Sequence, residues 1–432
     1  MRRPDKVAKV CVLISLWIVS FLQIGNVLGV TFVDLVSFEP VFQKGMSYRP
    51  APYPNYYAYD TSESDESLRR MAEDNVKYVA IIPWWFQENL TSAQIYPHSD
   101  FTPTNESLKH AIQKAHELGM KVMLKPMVDT EDARNEPRWK INGTEEWFQS
   151  YRVFISSYAQ FAEENDVDLL CIGCEFKYTE ANRSNWEQII LEVREHYAGP
   201  LTYAALIDSY RSIAWWDSLD YVGIDAYFPL TEVNAPTLEE LKQAWNHWAN
   251  EIESWYSKTR KPILLTEVGY RSGDGNNQQP WNWTETLEPD MQEQFDCYLA
   301  AFQTLWGKPW FYGFYWWIWE SNPNAGGLND TDYTPQNKPV EYLIKSWYSS
   351  DPAQDLISYL KDRIKFLENR VDDLQAQNQM LQQELEDVQQ KCNELLNNYE
   401  VNKYLLYIFV ATTVFFVTTT VFYVRRGRAK HQ

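Results

Sequence analysis

From about residue 40 to residue 348, the chain alternates short apolar runs with longer stretches in which apolar residues recur at helical spacing. Eight apolar runs have the length of buried strands: 44–48, 77–83, 121–126, 168–175, 201–206, 220–230, 262–270 and 311–320. The amphipathic stretches predict helices at 65–75, 105–118, 145–164, 186–197, 238–256, 290–305 and near 340–348. Strands that alternate with helices in this way favour a parallel sheet.

Eight strand–helix units over roughly 300 residues are typical of a (β/α)8 TIM barrel. We therefore predict an α/β fold with such a barrel in residues 30–350. A doubly wound open sheet is the competing fold, but it needs a glycine-rich turn after its first strand. The segment GMSYRPAPYPNYY at 45–57 is not such a turn.

After Pro352 the pattern changes to heptads, and residues 355–400 are predicted to form a parallel coiled-coil stalk. The a positions are Ile357, Ile364, Val371, Asn378, Leu385, Cys392 and Tyr399, and the d positions are Leu360, Leu367, Leu374, Leu381, Val388 and Leu395. Branched residues at a, leucine at d and one asparagine at a favour a homodimer. The alternative is a single amphipathic helix that packs against the barrel. Cys392, at an a position, is a candidate cross-link of the pair.

Both ends of the chain predict a relation to membranes. Basic residues followed by the apolar run 10–24 indicate a secretory signal peptide at 1–29, with a retained anchor as the alternative. Residues 404–424 carry no charge and are long enough for a transmembrane helix, and the basic residues at 425–430 predict that the tail 425–432 is cytoplasmic. We expect a single-pass protein of the cell membrane with its barrel outside the cell.

Composition narrows the choice of partner. The net charge of −20 disfavours a nucleic acid, and 16% aromatic residues fit either a sugar-binding cleft or an aromatic core. Six N-x-S/T sequons suit an exported glycoprotein: Asn89, Asn105, Asn142, Asn182, Asn282 and Asn329. Cys171 and Cys174 have the spacing of half a metal site, but no second pair follows, and we interpret both as core residues. We predict neither a metal nor a cofactor.

Two of the apolar runs end in an acid, Glu175 after 169–174 and Glu267 after 263–265. In a parallel barrel the residues that end the strands face the mouth where ligands bind. Counting back in steps of two, Gly173 and Cys171 share the inward face of Glu175, and Leu265 and Ile263 share that of Glu267. A lone acid at a strand end is more often a helix cap or an ion-pair partner. Two such acids in one barrel predict the paired carboxyl groups of glycoside hydrolysis.

Further strand ends supply candidate substrate-binding residues. Tyr227 has the inward parity of Asp225 and is a candidate hydrogen-bond donor to Glu267. Lys125 is expected either to bind a sugar hydroxyl or to form a structural ion pair. The aromatic candidates for sugar stacking are Trp84 and Trp85 after the second strand, and Trp317 and Trp319, which are expected to share one face at the end of the eighth. Weaker candidates in the loop after Lys125 are Asp129 and Trp139.

Several segments together resemble glycoside hydrolase family 113, whose known members are β-mannanases. They are KGMSY, VAIIPWWFQ, AHELGMKVMLKPMVD, IGCEF, VGIDAYFPL and LLTEVGYRS. The resemblance covers about residues 40–348 and implies a retaining enzyme with Glu175 as general acid/base and Glu267 as nucleophile. Many members of the wider clan have asparagine directly before the acid/base, whereas this chain has Cys174.

The sequence therefore predicts a cell-surface retaining β-glycosidase that acts on a β-linked, mannan-like polysaccharide or oligosaccharide. The alternative is a carbohydrate-binding or structural cell-surface protein that keeps the barrel without catalysis. A third possibility is an enzyme of the same clan that acts on the cell's own surface glycans.

Overall fold

The computed structural model describes residues 42–349, apart from 51, 54 and 55, and residues 361, 371, 374–391, 393 and 403–429. The chain divides into two compact units, 1–356 and 357–432. The predicted signal peptide, most of the heptad segment and Cys392 lie outside the described residues.

Eight parallel strands form a closed barrel, which confirms the predicted fold of the first unit. The strands are β1 (Gln43–Arg49), β2 (Tyr78–Ile81), β3 (Lys121–Leu124), β4 (Leu169–Cys174), β5 (Leu201–Leu206), β6 (Val222–Asp225), β7 (Ile263–Val268) and β8 (Phe311–Glu320). Neighbours in sequence are neighbours in the barrel, and β8 pairs with β1 to close it. The strand ends at 175 and 267 therefore lie at the same mouth.

In the described part of the first unit, seven helices cover the barrel, close to the predicted positions. They are α1 (Ser62–Glu73), α2 (Asn105–Glu117), α3 (Glu145–Glu164), α4 (Arg183–His196), α5 (Leu238–Thr259), α6 (Met291–Leu305) and α7 (Pro339–Tyr348). The connection from β5 to β6 holds only a 3-10 turn, Trp216–Ser218. Four further short strands form two pairs: Pro52–Tyr53 with Tyr56–Tyr57, and Trp84–Gln87 with Met127–Thr130. The second pair lies beyond the ends of β2 and β3.

Threonine side chains define where four of the helices begin. Thr61, Thr104, Thr144 and Thr237 each accept a hydrogen bond from the backbone N–H three residues on. Thr237 also forms a reciprocal capping box with Glu240. These bonds satisfy N–H groups that have no partner inside the helix, and a cap of this kind stabilises a helix by about 1 kcal/mol.

Most of the aromatic residues build the layer between strands and helices. The tryptophans that are fully buried are Trp147, Trp186, Trp215, Trp245, Trp310, Trp316, Trp319 and Trp347. Inside the barrel the residues are smaller, with Ala80, Ala204, Cys171 and Cys174 among them. The aromatic composition therefore reflects the outer core more than a sugar-binding cleft.

The second unit contains helix α8 (Lys403–Ala429), which includes the predicted membrane span at 404–424. Among the helices that the structure describes, none is long and apolar enough to cross a membrane. The predicted transmembrane anchor is therefore not found. Residues 374–391 are helical, and pairing of this helix with a second chain stays a prediction.

Candidate active site

The two candidate acids lie at the mouth of the barrel: Glu175 directly follows β4, and Glu267 is the second-last residue of β7. Glu175 has a left-handed backbone conformation, with φ of 59°. Its N–H donates to the Ala204 carbonyl at 2.8 Å, and the next N–H, of Phe176, donates to the Tyr203 hydroxyl at 2.9 Å. These bonds to β5 hold an unfavourable conformation for a residue with a side chain, a feature that clusters at functional sites.

Strand β4 contains an irregularity that the sequence reasoning did not foresee. Cys171 pairs with Thr202, but Cys174 pairs with Ala204, so β4 has one more residue than β5 over this stretch. Both cysteines lie in the interior cluster of the barrel. Gly173 faces the other way, because a Cβ there would lie 2.8 Å from the Tyr203 ring. The predicted inward face of Gly173 is wrong, and the bulge brings Cys174 to the interior instead.

Strand β7 shows the same deviation. Ile263 and Leu265 lie in the outer core, and Leu264 lies in the interior. Ile224 pairs with Leu265 while Asp225 pairs with Glu267, so β7 also has one extra residue. The predicted inward faces of Leu265 and Ile263 are therefore wrong. Glu267 nevertheless points into the mouth, as its contacts show.

Glu267 lies in a dense hydrogen-bond network. Tyr227 donates its hydroxyl to Oε2 at 2.8 Å, and the Lys125 ammonium donates to Oε1 at 2.5 Å. Lys125 also donates to Asp225 Oδ1 at 3.2 Å, and Thr266 donates to the same oxygen at 2.8 Å. The Lys125 side chain has no exposed surface. Its contacts match the structural ion pair, the second of the two roles expected for it, and not a sugar contact.

The atoms of Cys174, Asp225 and Glu267 that could bind a metal lie within 4.8 Å of one another. The Lys125 ammonium contacts two of these three residues. It supplies the positive charge that a metal would bring, and it occupies the space between the two carboxylates.

A second cation lies beside Glu175. Arg138 forms a two-point ion pair with Asp129, through Nε and Nη2 at 2.7 Å each. Its Nη1 lies 3.4 Å from Glu175 Oε2 and 3.4 Å from Cys174 Sγ. The sequence reasoning considered Asp129 but missed Arg138. Its position could have indicated a role, because Arg138 lies in the loop after β3 next to the candidate Trp139.

The surroundings shift the pKa of both acids. Burial raises the pKa of Glu175 to about 8, with Arg138 opposing the rise and Asp225 and Glu267 adding to it. Burial raises the pKa of Glu267 to about 7, with Asp225 adding to the rise and Lys125 opposing it. As the pH increases, Glu267 therefore ionises first and Glu175 keeps its proton longer.

The structure separates the four predicted stacking tryptophans into two pairs. Trp84 and Trp317 are partly exposed and pack against the interior cluster of the barrel. Trp85 donates to the Tyr158 hydroxyl at 2.9 Å, and Trp319 donates to Ser67 at 2.8 Å, both on the helix side of the barrel. Trp85 follows Trp84 directly and so takes the opposite face.

Trp319 was expected to share the face of Trp317. Met46 pairs with Trp316 but Tyr48 pairs with Trp319, so β8 has an extra residue that reverses the alternation. Trp319 is fully buried and does not line the mouth. Trp139, one of the weaker candidates, is 38% exposed in the loop after β3.

The site thus holds two carboxyl groups of different proton affinity, each with its own cation, at a mouth with exposed aromatic rings. One group can donate a proton while the other acts as an anion, which is the requirement for cleaving a glycosidic bond.

The sequence matches the family model of Glycoside Hydrolase Family 113 over residues 50–338. A solved GH113 β-1,4-mannanase is 27% identical, with a TM-score of 0.64, and the match covers 72% of this chain and 99% of that one. A GH113 β-mannanase from Alicyclobacillus acidocaldarius is 25% identical, with a TM-score of 0.65 and the same coverage. A comparison with curated proteins finds no match.

Proposed function

Because the chain belongs to glycoside hydrolase family 113 and is a glycoside hydrolase, we propose that it hydrolyses a β-linked, mannan-like oligosaccharide or polysaccharide with retention of configuration. Glu175 is the general acid/base and Glu267 is the nucleophile. The observation that carries these roles is the contrast in surroundings: Glu267 accepts from Lys125 and Tyr227, while Glu175 has the higher pKa.

In the first step, the Glu175 carboxyl group gives its proton to the glycosidic oxygen as the bond to the sugar carbon breaks. A Glu267 oxygen bonds to that carbon from the opposite side. In the second step, Glu175, now ionised, takes a proton from water as the water oxygen displaces Glu267. Two displacements restore the original configuration.

The partners of Glu267 suit this sequence of events. Lys125 and Tyr227 each contact one of its oxygens, so the carboxylate is held in one orientation before reaction. Asp225 holds Lys125 from the other side at 3.2 Å. Burial alone would lower the pKa of Lys125, but Asp225 and Glu267 raise it well above its ordinary value, so it stays an ammonium group.

The mannan-like substrate is supported by the two solved β-mannanases, which this chain matches over 99% of their length. Cys174, directly before Glu175, is buried and contacts Asp225 at 3.4 Å, so it contributes a thiol to the network rather than an exposed donor. The substrate is best found by a screen of the full chain against defined β-linked oligosaccharides.

Rescue by azide distinguishes the two roles. Glu267→Gly leaves a space in which azide can attack the sugar, and with an activated substrate we expect an α-glycosyl azide. Glu175→Ala lets azide attack the covalent intermediate, and we expect a β-glycosyl azide.

The matched control is Glu131→Gln, because Glu131 is an exposed acid in the loop after β3, and this variant should keep full activity. Full activity in Glu267→Gly would refute the assignment, and no turnover in the unmodified chain would favour the non-catalytic carbohydrate-binding alternative.

We propose further that the barrel works outside the cell, at its surface. All six sequon asparagines are at least partly exposed, as glycosylation requires: Asn89, Asn105, Asn142, Asn182, Asn282 and Asn329. The chain made in a eukaryotic secretory host should migrate faster on a gel after enzymatic removal of N-glycans. Unchanged migration would contradict this placement.

A further inference from the structure

The loops that follow β3 and β7 meet across the mouth of the barrel. The guanidinium carbon of Arg134 lies 5.5 Å from the centre of the Trp283 ring. In the closed barrel β3 and β7 are four strands apart in either direction, and so they stand on opposite sides. Loops from opposite sides of the barrel therefore meet at this contact, and the shortest route between their strand ends crosses the opening above the two acids. We call this contact the Arg134–Trp283 bridge.

The loop on the β3 side is held at its base. Arg138, four residues after Arg134, is paired with Asp129 and reaches Glu175. The Thr130 hydroxyl donates to the Glu136 carbonyl at 2.5 Å. This arm of the bridge thus begins at the acid/base.

The loop that follows β7 is also fixed, through hydrogen bonds that Tyr333 and Arg271 donate to its backbone carbonyls. Tyr333, from the loop after β8, donates its hydroxyl to the Pro280 carbonyl at 2.5 Å. Arg271 donates through Nη1 to the carbonyls of Asn282, at 3.2 Å, and Glu285, at 2.7 Å. Both Tyr333 and Arg271 are buried.

The same arm leads back to the nucleophile. The Tyr333 ring centre lies 6.0 Å from that of Tyr227, and Tyr227 donates to Glu267. A continuous series of contacts therefore runs from Glu267, over the mouth through Trp283 and Arg134, and down to Glu175. A linear polysaccharide that crosses the mouth must pass this series of contacts, whereas the end of a chain can enter from one side of it.

We infer that the Arg134–Trp283 bridge makes this enzyme act on the ends of β-linked chains, and that short oligosaccharides are its preferred substrates. The inference rests on the proposed function and specifies its mode of action. Trp283 is 53% exposed and its neighbour Trp281 is 47% exposed, so ring faces at the bridge are available to stack against a terminal sugar.

The test compares a soluble β-1,4-mannan with a reduced mannotriose, using the full chain. Action at chain ends releases one small product from the first time points, with little loss of viscosity for each bond cleaved. For Arg134→Ala and Trp283→Ala, we expect the ratio of kcat/KM for the polymer to kcat/KM for the trisaccharide to rise about two- to fivefold. This factor corresponds to the usual free energy of an exposed cation–π contact. Viscosity should then fall faster for each bond cleaved.

Lys121→Ala is the matched control, because Lys121 stands 5.9 Å from the Tyr78 ring centre at the opposite end of the barrel. It should leave both the ratio and the product pattern unchanged. If the unmodified chain lowers viscosity from the first bonds cleaved, and both bridge variants behave identically to it, the inference fails while the glycosidase stands. If the unmodified chain cleaves neither substrate and no other β-linked glycan, the proposed function fails and the inference fails with it.

Discussion

At the scale of single residues, the site is organised by two cations, one for each acid. Lys125 is enclosed and lies 2.5 Å from Glu267, whereas Arg138 lies 3.4 Å from Glu175 and gives its closest bonds to Asp129. The cation in direct contact favours the ionised form of Glu267 more than the distant one favours that of Glu175. This difference in geometry acts in the same direction as the higher pKa of Glu175, which burial raises first of all.

The pH dependence of the reaction follows from the same contacts. In the proposed mechanism Glu267 must be ionised and Glu175 protonated, so kcat/KM should fall below about pH 7 and above about pH 8. Arg138 lowers the pKa of Glu175. In Arg138→Gln that influence is lost, the pKa of Glu175 rises, and the alkaline limb of the kcat/KM profile should move to higher pH.

The profile is measured over pH 5 to 10 with an oligosaccharide substrate. Arg211→Gln removes an exposed arginine that pairs with Glu251, and it should leave both limbs in place. An alkaline limb that stays fixed or moves to lower pH in Arg138→Gln would contradict the role given to Glu175.

At the scale of elements, the sequence predicted the strands and helices well but predicted the strand faces poorly. The apolar runs of the strands and the helical spacing of apolar residues are local signals, and all eight strands appear where the runs predict them. Alternation of faces assumes regular strands, and β4, β7 and β8 each contain at least one extra residue. A bulge is fixed by pairing with the neighbouring strand, and a single strand does not encode it.

Several predictions that relied on regular alternation of side chains along a strand failed, whereas those that relied on the end of a strand did not. Glu175 and Glu267 were selected because each stands at the end of an apolar run, and the resemblance to family 113 selected the same two. The structure brings both side chains to the mouth, and their catalytic roles stay predictions. Trp319 was misplaced because its assignment depended on alternation along β8. Arg138 was missed because an arginine in a loop has no periodic pattern, and only the tertiary structure brings it to Glu175.

The bulge in β4 leaves no room for a side chain at position 173, and this can be tested by substitution of Gly173. A Cβ at this position would lie 2.8 Å from the Tyr203 ring and 3.0 Å from the Trp186 ring. Gly173→Ala should destabilise the fold by about 1–3 kcal/mol, as added volume in a packed core does. It should also reduce kcat, because Tyr203 accepts the hydrogen bond from the N–H that follows Glu175.

Urea unfolding gives the stability, and initial rates give kcat. Ile172→Val, next to Gly173 and also facing the outer core, removes a methyl group without adding volume. It should cost about 0.5–1.5 kcal/mol and leave kcat unchanged. Equal kcat values for Gly173→Ala and the unmodified chain would show that the bulge does not position Glu175.

At the scale of the whole molecule, the barrel contains the candidate active site, and the heptad segment predicts association with a second chain. The described residues of the first unit form the closed barrel and supply both acids and both cations. The chain divides into its two compact units after residue 356, and the domain boundaries predicted from the sequence stay predictions.

The heptads give the last prediction, that the full chain is a parallel dimer. Along the described helical stretch 374–391, the d-position residues Leu374, Leu381 and Val388 are 50%, 60% and 45% exposed. Burying a leucine against a second chain contributes about 1.5–3 kcal/mol, and a lysine there places an unpaired charge in the seam. The double variant Leu374→Lys, Leu381→Lys should therefore sediment as one chain, whereas the unmodified protein sediments as two.

The matched control is Leu191→Lys, because Leu191 is 67% exposed on helix α4 and lies outside the heptads. This variant should sediment as a dimer. Hydrolysis per chain should be equal in all three proteins, since each barrel has its own pair of acids. A single-chain mass for the unmodified protein would reject the dimer, and lower activity per chain in the monomeric variant would show that the stalk also acts on the site.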